Sequence, residues 1–100
     1  MRRNDVIARL KIAEPALRRQ GIGALYLFGS HARDEARSGS DVDVFVDPQA
    51  DDRFGFLEYM GAYETIQRAV GEDVAVGYST RDGLSRYVRA DVEREAVRVF

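Results

Sequence analysis

The chain has no cysteine, one histidine and no long apolar run, and each shortage removes a class of protein. Without cysteine, neither disulfides nor thiolate-bound zinc can hold the fold, so packing must. The same lack fits a reducing compartment. No stretch approaches the roughly 18 consecutive apolar residues that cross a bilayer. Met1-Arg2-Arg3 opens like the basic start of a signal peptide, but Asn4, Asp5, Arg9 and Lys11 break up the apolar segment such a peptide needs. The expectation is a soluble, cytoplasmic protein with no membrane partner. Neither sign of charge dominates: 15 basic and 17 acidic residues leave a net charge of −2. Broad, sequence-independent nucleic-acid binding usually needs a strongly basic face, so none is expected. A small nucleotide pocket stays open.

What is present is ordinary for one globular unit. One hundred residues, 45% hydrophobic with ten aromatics, predict a single domain over 1–100. A chain of this size buries roughly two thirds of the surface its unfolded form exposes, enough to fold with little margin.

Hydrophobic spacing outlines the elements. Asn4 or Asp5 is placed to cap a helix carrying Val6, Leu10, Ala13 and Leu17, with Pro15 breaking and restarting it. Gly21 and Gly23 stop it. Ala24 to Phe28 reads as a buried strand, Ser30 to Ala36 as a short helix, and Asp41 to Asp47 as a second strand ended by Pro48. Asp51-Asp52 reads as a helix-start signal. Phe56, Met60, Tyr63, Ile66 and Val70 repeat at helical spacing before Gly71. Val74 to Val76 is a third strand, Leu84 to Ala96 a helix, and Val97 to Phe100 a closing strand or a frayed end. The order α-β-β-α-β-α predicts an α/β (α+β) domain, helices packed against one small mixed β-sheet.

Chemistry concentrates in Leu25-Tyr26-Leu27-Phe28-Gly29-Ser30-His31-Ala32-Arg33 and Ser40-Asp41-Val42-Asp43-Val44-Phe45-Val46. A strand delivers the chain to Gly29, where the missing Cβ lets a ligand approach the backbone. Ser30 offers a hydroxyl and a backbone N–H at a helix start, a setting that binds phosphate. Side chains two apart on a strand share a face, so Asp41 and Asp43 point together while Val42, Val44 and Val46 turn to the core. Two neighbouring carboxylates repel unless a cation lies between them, and Mg²⁺ commonly binds one or two carboxylates plus substrate phosphates. A phosphate turn beside such a pair is the layout of phosphoryl or nucleotidyl transfer. His31 reads as a bystander, Arg81, Arg86, Arg89, Arg94 and Arg98 as a mostly solvated face, and Tyr59, Tyr63, Tyr78 and Tyr87 as core or rim.

The pattern Gly-Ser-x-Ala-Arg, a short spacer, then Ser-Asp-x-Asp and an apolar run resembles the signature of minimal nucleotidyltransferases (MNT) of the DNA polymerase β superfamily. Leu27 to Ser30, and Glu93-Arg94-Glu95-Ala96-Val97, are similar to the small MntA-type antitoxins paired with HEPN-domain toxins. The resemblance implies the nucleotidyltransferase fold, with Gly29, Ser30, Arg33 and Ser40 nucleotide-binding and Asp41 and Asp43 metal-binding and catalytic. It implies Mg²⁺ as cofactor, ATP as substrate, and transfer of AMP to a hydroxyl, such as a tyrosine, of a HEPN toxin partner. It also implies a third carboxylate from a later strand. The register read from the sequence puts Ala75 there; Asp73, two residues earlier on the same strand face, reads as a solvated strand-entry residue that serves as the catalytic and metal-binding acid only if the strand is shifted or the site reorganised. Loss of that acid would leave an antitoxin that neutralises its partner by binding alone. Transfer to a small molecule such as an aminoglycoside fits less well, because an acceptor-binding domain is missing. A homo-oligomer is compatible with the sequence.

Overall fold

The structure, a computed structural model, describes residues 1–50 and 53–100. The helix-start reading of Asp51-Asp52 falls outside them. The elements run α1 (Arg3–Ile12), α2 (Glu14–Arg19), β1 (Ile22–Phe28), α3 (Gly29–Ala32), β2 (Val42–Pro48), α4 (Phe56–Val70), β3 (Val76–Thr80), α5 (Arg89–Glu95) and β4 (Val97–Arg98).

Four strands form one mixed sheet in the order β3-β2-β1-β4. β1 lies antiparallel to both β2 and β4, and β2 lies parallel to β3. The alternation expected of β2 holds: Val42, Val44 and Val46 are fully buried. They join Leu25 and Leu27 of β1, Val6 and Leu10 of α1, Leu17 of α2, and Ala62, Ile66 and Val70 of α4 in one apolar cluster. That cluster lies between the helices and one face of the sheet. Burial on this scale is the main stabilising term of so small a domain.

The helical expectations need local corrections. Pro15 does restart the helix, sitting in the first turn of α2, where its missing N–H costs nothing. Arg2, not Asn4 or Asp5, is the N-cap of α1, and the Asp5 carboxylate accepts the Arg2 N–H at 3.0 Å. The first N–H of that helix, on Arg3, is taken at 3.0 Å by Asp34, 31 residues away. In α4 the buried seam is Ala62, Thr65, Ile66 and Val70, while Phe56 is 74% exposed. α3 stops at Ala32, and α5 begins only at Arg89 because Gly83 to Val88 are spent on turns. Val97–Arg98 is a strand, pairing with Leu27 and Tyr26.

The third strand is displaced most. It covers Val76–Thr80 rather than 74–76. Gly71, at φ +119°, ends α4, and Gln67 Nε2 donates to the carbonyls of Gly71 (2.7 Å) and Val74 (2.6 Å). The apolar Val74 is thereby consumed in a turn. Ala75 precedes the strand, its carbonyl accepting the Val42 N–H at 2.9 Å. Tyr59 and Tyr78 then fasten β3 to α4 reciprocally: each hydroxyl donates to the other's carbonyl, at 3.2 and 3.0 Å.

Candidate active site

Asp43 is the second residue of β2, opposite Phe28 of β1 and Gly77 of β3. A Cβ built on Gly77 would overlap its Oδ1, and one built on Gly29 would overlap its Oδ2. The carboxylate is therefore seated between two bare α-carbons. Gly29 is also held at φ +76°, in the left-handed region. The group that needs the missing Cβ at Gly29 is the protein's own aspartate. Burial pushes the Asp43 carboxyl above the usual aspartate range, and nearby Asp41 pushes it further.

Asp41 stands exposed, one residue ahead of β2. Its carbonyl is held by His31, which is 3% exposed and lies 2.9 Å away through Nδ1. A carbonyl only accepts, so the Nδ1 position carries the proton. The bystander reading of His31 is replaced by a buried donor that fixes the backbone at Asp41.

The turn after β1 is held from far along the chain. One Glu95 oxygen accepts the Gly29 N–H at 3.1 Å, and the other accepts Arg33 Nη1 at 2.9 Å. Arg33 Nε donates to Glu35 at 2.7 Å. Ser30 directly follows Gly29, and its hydroxyl makes no hydrogen bond among the described residues. Ser40 closes its own loop: its Oγ accepts the Arg37 N–H at 2.9 Å, and its N–H donates back to the Arg37 carbonyl at 3.0 Å.

The structure thus brings Gly29, Ser30, Arg33 and Asp43 around one turn, with Asp41 beside Asp43. It does not bring Asp73 with them on a strand. Asp73 lies in the turn before β3, its carboxylate against Gly71. Nor does Ala75 oppose Asp43; the ladder gives that place to Gly77, two residues later. Among the described residues, no group of three or more histidine, cysteine or acidic side chains is placed to hold a metal ion. A pair of carboxylates, one raised by burial and by the other's charge, suits a hard cation that takes its remaining ligands from phosphates and water. It does not suit an all-protein cage.

Sequence reasoning quotes Glu95 only within the family-like stretch 93–97 and misses its contact with Gly29, because 66 residues separate the two. It also missed Arg81, assigned to a solvated face. Arg81 grips Asp47 with two bonds of 2.9 Å, reaches Glu93 at 2.5 Å, and lies 4.9 Å from the ring centroids of both Tyr26 and Phe45.

The profile of the Nucleotidyltransferase domain family matches residues 10–99. The chain belongs to that family. Among solved structures, this nucleotidyltransferase resembles one described as a "putative minimal nucleotidyltransferase", with a TM-score of 0.79 and 30% identity, covering 97% of this chain and 95% of that one. A crystal structure of a toxin–antitoxin with AMP-PNP shares the fold at a TM-score of 0.66 and 17% identity, over 90% of this chain and 72% of that one. Among curated proteins, the "putative protein adenylyltransferase" of Methanocaldococcus jannaschii is 28% identical over 79 residues, 78% of this chain and 77% of the relative. The expected minimal nucleotidyltransferase fold, a small mixed sheet with helices against it, is the one observed. No helix among the described residues is long and apolar enough to cross a membrane.

Proposed function

We propose that this nucleotidyltransferase transfers AMP from ATP to a hydroxyl of a partner protein, a tyrosine of a HEPN-domain toxin, and thereby acts as its antitoxin. The observation that carries the reading is the seating of Asp43 against the Gly29-Ser30 turn, with Asp41 alongside. The sequence likeness to a relative described as a protein adenylyltransferase supports the protein acceptor. The small size of the domain supports a partner chain, since little surface is left to hold a large substrate unaided.

Asp41 and Asp43 are the residues that would hold Mg²⁺, which when bound neutralises the triphosphate and lowers the pKa of an incoming hydroxyl. The Ser30 hydroxyl and N–H receive phosphate oxygens at the turn, and Arg33 adds positive charge beside them. In the transfer, the acceptor oxygen bonds to the α-phosphorus, the bond to the β-phosphate breaks, pyrophosphate leaves, and the hydroxyl proton passes to solvent. β3 sets no carboxylate opposite Asp43, since Gly77 occupies that place. General-base assistance is commonly worth about 10² to 10⁴ in rate, so transfer is expected to be slow unless the partner supplies the base. The test is incubation with labelled ATP, Mg²⁺ and the folded HEPN partner. Label on the partner, lost in the Asp41→Asn/Asp43→Asn variant, supports the reading; no label refutes it.

Gly77 also favours a second reading, an antitoxin that neutralises by occlusion alone. Neutralisation that survives in the same double variant would select it.

A further inference from the structure

We propose that Glu95 is the positioning residue of the nucleotide cradle, fixing the Gly29 turn and the Arg33 guanidinium in the geometry that receives the triphosphate. The inference rests on the reading of that turn as a nucleotide site. Gly29 is the first residue of α3, and Phe28 before it provides no side-chain cap. A helix start leaves its first N–H groups without partners. At Gly29 the partner is a Glu95 oxygen at 3.1 Å, brought from the end of α5. The Gly29 N–H is therefore already spent, and phosphate contact passes to Ser30.

The second Glu95 oxygen holds Arg33. With Nε on Glu35 and Nη1 on Glu95, the guanidinium is pinned along two edges, and Nη2 has no partner among the described residues. A long side chain held this way has lost its rotamer entropy before the ligand arrives.

The test is calorimetric titration of ATP with Mg²⁺ into the full chain and into Glu95→Ala, Glu95→Gln, Arg33→Ala and Arg33→Ala/Glu95→Ala. Glu95→Ala is expected to weaken ATP binding about tenfold. Glu95→Gln keeps an acceptor for the Gly29 N–H and should recover part of that loss. In the Arg33→Ala background, removing Glu95 should cost measurably less than in the wild type, a coupling that a general loss of stability would not produce. Circular dichroism confirms that each variant is folded. A folded Glu95→Ala variant that binds ATP as well as or better than the wild type overturns the proposal, and tighter binding would make Glu95 a competitor for the cradle. A wild-type chain that takes up no nucleotide would instead sink the underlying reading.

Discussion

Gly77 stands directly opposite Asp43 in the parallel ladder of β2 and β3, on the same face of the sheet, and any side chain there would displace the carboxylate. Gly29 crowds the same carboxylate from the other side but sits at φ +76°, whereas Gly77 has no positive φ. The two alanine variants should therefore fail differently. Gly77→Ala is expected to keep most of its stability and lose transfer about a hundredfold, as a misplacement near 1 Å can cause. Gly29→Ala should lose the same activity and about 1–2 kcal/mol of stability besides, from the left-handed strain. Chemical denaturation alongside a transfer assay separates them.

Asp43 carries a stability cost for its role. Its carboxyl is raised above the ordinary range, first by burial and then by Asp41. Between the ordinary and the raised value, the unfolded chain releases this proton more readily than the folded one, so Asp43 makes stability fall as pH rises through that window. Asp43→Asn should thus melt higher than the wild type at neutral pH, with the gap closing in acid as both states become protonated, while transfer is abolished. Melting curves from acid to neutral pH check this, and a variant that melts lower throughout would contradict it.

Arg81 tests the outer face of the sheet. It forks onto Asp47, reaches Glu93, and covers the rings of Tyr26 and Phe45. Arg81→Ala is expected to cost about 1–2 kcal/mol once solvent screening is allowed for. Arg81→Lys should recover little, because a single ammonium replaces a planar fork that pairs and stacks at once. Thermal melts of the two variants are the measurement.

Chelation should separate function from fold. Among the described residues no three acids are placed to hold a metal ion, and the core cluster consists of apolar side chains. Treatment with EDTA is expected to leave the melting temperature of the free protein unchanged and to remove ATP binding, with Mg²⁺ restoring it. Melting with and without chelator, then titration, decides the matter.

The second strand was legible because its physics is local. Alternation of Val42, Val44 and Val46 with acids is a period-two pattern, and all three valines are buried as it requires. The third strand was not, because its start is set by pairing rather than by its own residues. Val74-Ala75-Val76 looks more strand-like than Val76-Gly77-Tyr78-Ser79-Thr80, yet Gln67 pulls Val74 into a turn. Period two also places Phe45 on the face of Asp43, which predicts exposure; it is fully buried, with Arg81, Tyr26 and Phe28 packed against its ring. The Gly-Ser turn announced itself in the sequence. Glu95 shows in the family-like stretch 93–97, but nothing near Gly29 points to its contact there.

That span of 66 residues has a kinetic meaning. A nascent chain emerging from the ribosome exposes the Gly-Ser turn early, but the Glu95 contact at that turn arrives only when α5 packs against α3. A stalled or clipped product that lacks residue 95 would carry the Gly-Ser motif without that contact.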